Sequence, residues 1–305
     1  MTDAQMPSEV TIGCRALNVE DVVQGARVPV RILYPSRAPE RLEQFGPYPL
    51  AVATEAPVEG ERLPLVVISH GTGGSPWTYR GMAVHLARAG FVVALPEHPG
   101  NNRSDNSLAN TAANLENRPR HVRLVLDAVF GDAQLGKRLS PAGVGVIGHS
   151  MGGYTALAVA GGRPSSFPNE SPDGQARAIP VVHDPRVRAL VLLAPASPWF
   201  MAEGALAGID LPILMRTAER DEHTPAMHAE IILRGVPHPQ RIDHRVVPNA
   251  GHFSFQSPFP PAMTRPEFPP SQDPVGFDRA AFQPVLHAEI LAFLRASLGS
   301  ETRPA

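Results

Sequence analysis

The sequence predicts an α/β fold with a mostly parallel central sheet, antiparallel strands on its N-terminal side and helices on both faces. Short apolar runs recur along the chain without polar interruption, which is typical of strands covered on both faces. Stretches with helical periodicity separate these runs, and such alternation is typical of a parallel sheet. The chain of 305 residues is expected to form a single domain over residues 1–305.

The apolar runs define the predicted core strands. They are LPLVVIS (63–69), GFVVALP (90–96), VGVIGHS (144–150), VRALVLLAP (187–195), PILMRTA (212–218) and HRVVPNA (244–250). The predicted helices are YRGMAVHLARAG (79–90), RPRHVRLVLDAVF (118–130), TPAMHAEIILRG (224–235) and FQPVLHAEILAFLRASLG (282–299). Upstream, VTIGCRALNV (10–19) and RVPVRILYPS (27–36) are separated by too few residues for a helical crossover. We therefore expect these two segments to pair as antiparallel strands.

Three segments rich in proline lack a strand or helix pattern: residues 37–62, 162–185 and 257–276. Core strands resume directly after the first two segments, which disfavours flexible linkers between domains. We therefore expect long ordered loops within the one domain, and such loops could form a lid over a cleft.

The charge balance disfavours several classes of partner. The chain has 27 Lys and Arg against 29 Asp and Glu, so it lacks the basic surface that nucleic acid or anionic lipid would need. No apolar stretch is long enough for a membrane span, and the N-terminal sequence is unlike a secretory signal. We expect a cytoplasmic protein that acts on a small molecule, of unknown oligomeric state. The single cysteine, Cys14, is expected to be a buried apolar side chain.

A serine lies between glycines in GHSMGG (148–153), where a predicted strand meets a predicted helix. A turn this tight forces Ser150 into a strained backbone conformation, and it closes only if the residues two positions away are very small. The hydroxyl then projects from the carboxyl edge of the sheet, where the backbone N–H of Met151 at the helix start can stabilise an oxyanion. The alternative is a glycine-rich turn that contains an incidental serine.

A serine nucleophile needs a base and a group that orients the base. In this topology the expected order is serine, acid, histidine, with the histidine after the last core strand. His252 in RVVPNAGHFSF fits that place, and Asp221 in AERDEHTP lies in the loop after the preceding strand. Glu219 and Glu222 remain alternative acids, and the acidic cluster could instead only cap the next helix.

The second oxyanion donor is expected in SHGTGGSPW, directly after the first parallel strand, and we assign it to the backbone N–H of Thr72. A phosphate loop is disfavoured there, because no Gly-Lys-Ser/Thr follows. No His-Glu-x-x-His spacing occurs, and we predict neither a metal nor a cofactor. Trp77, Trp199 and Phe253 are the expected substrate contacts.

These motifs together resemble the α/β-hydrolase superfamily, and within it bacterial serine esterases similar to platelet-activating-factor acetylhydrolases and dienelactone-hydrolase-like proteins. The resemblance covers nearly the whole chain. It is carried by RILYPS, LPLVVISHGTGGSPWTYRGMAVHLARAGFVVALPEHPGN, GHSMGG, AERDEHTP and NAGHFSF. It implies hydrolysis of esters, often with small acyl groups, without a cofactor.

The chain departs from these relatives at two places. Dienelactone hydrolases use a cysteine where this sequence has Ser150. The animal acetylhydrolases place their acid after the strand that follows the elbow helix, where this sequence reads LLAPASPWF and has no carboxylate. This second departure favours Asp221, which follows the next strand.

The sequence therefore predicts a serine hydrolase that cleaves small or short-acyl carboxylic esters through a Ser-His-Asp triad and an acyl-enzyme. An amidase, a thioesterase or an acyltransferase could use the same triad, because the cleft selects the substrate and the acceptor. A non-catalytic scaffold that binds a ligand is a further alternative.

Overall fold

The computed structural model describes residues 10–299, which build one ten-stranded sheet with helices on both faces. The strands are β1 (Thr11–Asp21), β2 (Ala26–Ser36), β3 (Arg41–Phe45), β4 (Tyr48–Thr54), β5 (Leu63–Ser69), β6 (Val92–Pro96), β7 (Leu139–His149), β8 (Val187–Leu193), β9 (Ile213–Ala218) and β10 (Ile242–Val247). The α-helices are α1 (Arg80–Arg88), α2 (Ala112–Gly131), α3 (Met151–Val159), α4 (Met227–Gly235) and α5 (Arg279–Leu298). Short 3-10 turns lie at Pro76–Tyr79, Gly136–Arg138, Pro168–Glu170, Pro198–Phe200, Pro239–Arg241, His252–Phe255, Pro261–Met263 and Pro269–Ser271.

The sheet has the predicted topology. Its strand order is β10-β9-β8-β7-β5-β6-β2-β1-β4-β3. The six strands from β10 to β6 in this order are parallel, whereas β2 pairs antiparallel with both β6 and β1. The parallel strands all end at the same edge of the sheet, so the loops that follow them meet there.

Two hydrophobic cores lie on opposite faces of the sheet, as predicted. Leu86 of α1 and Ile290 of α5 belong to one core. Leu126 of α2, Leu157 of α3 and Ile232 of α4 belong to the other. All five side chains are fully buried, and each burial stabilises the fold by about 1.5–3 kcal/mol.

The first proline-rich segment differs from the prediction. Residues 37–62, expected as a loop, contain the hairpin of β3 and β4. Its two-residue turn begins at Gly46, whose φ of +59° suits the first central position of a tight hairpin turn. Pro49 concealed the strand pattern. Within residues 10–299, β4 pairs with β1 only at Ala53 and Thr54, so no ladder hydrogen bond to β1 is described at Pro49. The segments 162–185 and 257–276 contain only short 3-10 turns, as expected of loops.

Cys14 is buried in β1 at 2% exposure, as predicted. Burial raises the pKa of its thiol to about 11, so the reactive thiolate is disfavoured at neutral pH. Within residues 10–299, no helix combines the length and the apolar character that crossing a membrane requires.

Candidate active site

Ser150 occupies a strained turn between β7 and α3. Its backbone has φ 55° and ψ −119°, a conformation that costs about 1–3 kcal/mol in a residue other than glycine. Hydrogen bonds hold the turn: the Ser150 N–H donates to Leu193 O (3.1 Å), and the Ala196 N–H donates to Ser150 O (2.9 Å). The expected sharp turn with Ser150 at the carboxyl edge of the sheet is therefore present.

The glycines around Ser150 are required by close backbone contacts. A Cβ atom on Gly148 would lie 2.1 Å from Gly152 O, and one on Gly152 would lie 1.9 Å from Ser69 O. A side chain at Gly152 would push the elbow away from β5, and one at Gly148 would force the elbow itself open. The glycines thus fix the position of Ser150 relative to the first parallel strand.

His252 and Asp221 form a buried pair beside the elbow. The ring Nδ1 of His252 lies 2.9 Å from Asp221 Oδ2 and 3.0 Å from Oδ1. Because a carboxylate only accepts, the Nδ1–H donates and the lone pair of the neutral ring is on Nε2. This is the tautomer that a general base requires.

The Asp221 carboxylate is held by the loop that carries it. It accepts the backbone N–H groups of His223 (2.9 Å) and Thr224 (2.7 Å), and the Thr224 hydroxyl donates to its Oδ2 (2.8 Å). Burial alone would raise the pKa of Asp221, but the hydrogen bond and charge of His252 and the Thr224 hydrogen bonds outweigh it. The pKa of Asp221 therefore lies well below its ordinary value, and the carboxylate stays charged.

Asp221 combines two roles that the sequence left as alternatives, because it shapes the turn before α4 and also binds His252. Glu219 points elsewhere: its Oε2 accepts the Asn249 N–H at 2.7 Å. Glu222 is exposed. Of the three candidate acids, the structure thus brings Asp221 to His252.

Thr72 and Met151 line the same cavity as Ser150. Met151 is the first residue of α3, so its N–H belongs to the unpaired, positively polarised helix start. Thr72 follows Gly71, where an added Cβ would lie 3.2 Å from the Ser150 Cβ. The loop after β5 therefore packs directly against the elbow, and the two residues expected to supply the oxyanion donors line the same cavity as the serine.

Comparison with known proteins agrees with this architecture. Residues 64–169 match the family described as the alpha/beta hydrolase fold. The chain has the α/β-hydrolase fold. It is similar to the solved structure of a ferulic acid esterase from Streptomyces cinnamoneus, with a TM-score of 0.69 and 22% identity over 99% of this chain and 96% of that chain. The predicted resemblance to α/β-hydrolases is confirmed.

A curated relative matches over a shorter stretch. The chain is 29% identical over 143 residues to the platelet-activating factor acetylhydrolase of Cavia porcellus. The match covers 32% of this chain and 32% of that protein, so the chain spans about a third of the length of this relative.

The cavity beside Ser150 has a volume of about 480 Å³. Trp199 and Phe253, two of the expected substrate contacts, line it together with Ala196 and Pro198. Among the described residues, none of those that line the cavity belongs to segments 37–62, 162–185 or 257–276. Segment 162–185 contacts one residue of the cavity wall, because the Nε1–H of Trp199 donates to Oε2 of Glu170 (2.9 Å).

Trp77 corrects the expectation of a substrate contact. It is absent from the cavity wall and stacks on Phe45 of β3, with ring centroids 4.2 Å apart. Its partner was not visible in the sequence, because the hairpin that carries Phe45 was itself not predicted.

Sequence reasoning did not assign a role to two residues that contact His252 directly or through one another, His149 and Tyr79. The Nε2–H of His149 donates to the backbone carbonyl of His252 (2.8 Å), and its Nδ1 accepts the Tyr79 hydroxyl (2.8 Å). Burial, aided by the nearby His252, lowers the pKa of His149 to about 3, so this ring stays neutral. In the sequence, only the position of His149 next to Ser150 pointed to a role at this site, and no sequence feature pointed to Tyr79.

Proposed function

We propose that this protein is a serine hydrolase that cleaves carboxylic esters of small acids. Ser150 is the nucleophile, His252 the general base and Asp221 the group that orients His252. One observation carries the proposal: His252, which is hydrogen-bonded to the buried Asp221, lines the same cavity as Ser150 on its strained elbow. The intact set also disfavours a scaffold that only binds a ligand.

In the proposed mechanism, Nε2 of His252 takes the proton of Ser150 as its oxygen attacks the ester carbonyl. The Thr72 and Met151 N–H groups stabilise the oxyanion of the tetrahedral intermediate. The imidazolium then protonates the leaving alcohol, and the charged Asp221 offsets its charge. Water, deprotonated by His252, hydrolyses the acyl-enzyme and restores the serine.

The cavity and the similar proteins support a compact acyl group. Trp199, Phe253 and Pro198 offer an apolar wall within about 480 Å³. The structural neighbour is named a ferulic acid esterase and the curated relative an acetylhydrolase, so the proposed substrates extend from acetyl to a single aromatic acyl group. No metal or cofactor takes part in the proposed steps.

A series of p-nitrophenyl esters from acetate to dodecanoate, with cinnamate added, tests this proposal. We expect kcat/KM to be highest for acetyl to butyryl or cinnamoyl esters and to fall for longer chains. Matched p-nitroanilides and thioesters measure amidase and thioesterase activity, and added alcohols measure acyl transfer.

A fluorophosphonate probe supplies the control, since it should label Ser150 in the folded wild-type protein. Absence of both turnover and label in folded protein would favour the binding scaffold.

A further inference from the structure

Arg118 of α2 is a fully buried cation beneath the candidate active site. Its guanidinium donates to Thr155 Oγ1 (2.9 Å), Asn101 Oδ1 (2.7 Å), Ser69 Oγ (3.3 Å) and the backbone carbonyl of His70. No carboxylate within residues 10–299 forms an ion pair with it. Burying a charge without a counter-charge is costly, by several kcal/mol, so the arrangement calls for a reason.

The acceptors of Arg118 belong to the two segments that carry the proposed oxyanion donors. The His70 carbonyl precedes Thr72 by two residues in the loop after β5. The Thr155 hydroxyl lies one turn into α3 and itself donates to Met151 O (3.0 Å). One planar side chain thus fastens the Thr72 loop and the start of α3 to each other.

Arg118 also lies at one end of a longer series of hydrogen bonds, whose direction is fixed at the other end by the oxygens of Asp21 and Gln24. Ser69 Oγ accepts from Arg118 and donates its own proton to His98 Nε2 (2.9 Å), because the neutral ring of His98 has to donate from its other nitrogen to His121. His98 then donates from Nδ1 to Nδ1 of His121 (3.1 Å), and His121 donates from Nε2 to Gln24 Oε1 (2.7 Å).

This series of hydrogen bonds ends at the carboxylate of Asp21, but that carboxylate is too far from Arg118 to neutralise its charge. Asp21 is 3.3 Å from His121 and is already paired with Arg120 at 2.9 Å. Burial lowers the pKa of His121 to about 3 and that of His98 in the same direction, so both rings are neutral. Burial also lowers the pKa of Arg118 to about 9, which leaves it a cation at neutral pH.

We infer that Arg118 is a positioning residue for the oxyanion hole. It holds the Thr72 and Met151 N–H groups at the separation that a tetrahedral intermediate needs, before the substrate arrives. The inference rests on the proposed ester hydrolysis. Preorganised donors stabilise the transition state and have little effect on the ground state. Loss of the Arg118 hydrogen bonds should therefore lower kcat more than it raises KM.

The Arg118→Lys variant tests the inference because it keeps the charge but cannot reach all four acceptors. We expect kcat to fall about 10- to 100-fold with KM changed by less than about threefold, below the cost of deleting a whole oxyanion donor. Affinity for a phenylboronic acid, which forms a tetrahedral adduct on the serine, should fall by the same factor as kcat/KM. Amide hydrogen exchange should also become faster over residues 70–74.

Arg120→Lys is the matched control. Arg120 lies on the same helix and binds the Asp21 end of the series of hydrogen bonds, so its substitution should leave kcat and boronate affinity unchanged. Should Arg118→Lys not fold, Thr155→Val removes the hydroxyl between Arg118 and Met151, and we expect a smaller loss with the same parallel between boronate affinity and kcat/KM.

A folded Arg118→Lys protein with wild-type kcat, boronate affinity and exchange would overturn the inference and leave the proposed function intact. Wild-type kcat and wild-type boronate affinity in a folded Thr155→Val protein would overturn the inference in the same way. By contrast, a wild-type protein without ester turnover or Ser150 labelling would overturn the proposed function and the inference together.

Discussion

Two groups of a serine, histidine and carboxylate lie close together in this molecule. The cavity group consists of Ser150, His252 and Asp221. The core group consists of Ser69, His98, His121 and Asp21. The two serines lie at the ends of neighbouring strands. Ser69 is the last residue of β5 and pairs with Gly148 in β7, two residues before Ser150.

The difference between the groups lies in access and backbone geometry, since the residue types are the same. Ser69 is completely buried, and its hydroxyl both accepts from Arg118 and donates to His98. Ser150 is partly exposed on a cavity and is held at positive φ. The same types of side chain therefore form part of a closed core in one place and lie beside an open cavity in the other, where we propose that they act in catalysis.

The largest expected effect separates the two serines directly. Ser150→Ala should lower kcat/KM by about 10⁵- to 10⁶-fold and abolish fluorophosphonate labelling, with little change in melting temperature. Ser69→Ala should instead stay labelled at Ser150 but lose about 1–3 kcal/mol of stability, because buried partners lose a hydrogen bond. Ester turnover, peptide mapping of the adduct and urea unfolding measure these outcomes. A fluorophosphonate adduct on Ser69 would contradict the expected difference in reactivity between the two serines.

The second effect concerns the carboxylate of the cavity group. Asp221→Asn should lower kcat about 10³- to 10⁴-fold, because an amide can donate to His252 and hold the wrong tautomer. Glu219→Gln is the matched control, and we expect kcat within about twofold of wild type because its carboxylate binds Asn249. Comparable losses in both variants would show that Asp221 has no special role.

The third effect is a pH dependence of stability that comes from buried histidines. Burial lowers the pKa of His70, His121 and His149 to about 3, against about 6.5 in an unfolded chain. Between these values the unfolded chain binds more protons, so stability is full above pH 6.5 and falls as the pH drops towards 3. The free energy of unfolding falls by about 1.4 kcal/mol per pH unit for each histidine, and by about 4 kcal/mol per pH unit for the three together.

Urea unfolding at pH 7.5, 6 and 5 measures that slope. In His121→Gln the slope should decrease by about 1.4 kcal/mol per pH unit, since one titrating group is gone. An unchanged slope would mean that His121 is charged in the folded protein.

The smallest effect tests the cavity onto which Ser150 opens. Trp199→Ala should raise KM for a cinnamoyl ester about 5- to 10-fold, equivalent to about 1 kcal/mol of lost contact, while acetate turnover changes little. Trp77→Ala is the control, because Trp77 stacks on Phe45 outside the cavity. Equal effects of the two variants on KM would place the acyl group elsewhere.

Local sequence patterns predicted the core strands, the topology and the elbow, because glycine sterics and apolar runs act over a few residues. They also selected Asp221 and His252 through the order of the loops, which the structure brings together. The hairpin was missed because Pro49 interrupts its pattern. The core group was invisible because its members lie far apart in the chain: His121 and Asp21 meet across 100 positions.

The outermost strands have a consequence for the behaviour of the protein at high concentration. Arg41 and Glu43 are exposed on β3, and Asp243 and Arg245 are exposed on β10. A second molecule that approached either border would have to desolvate charged side chains before its own backbone could join the ladder. Both borders therefore discourage strand-by-strand growth into fibrils.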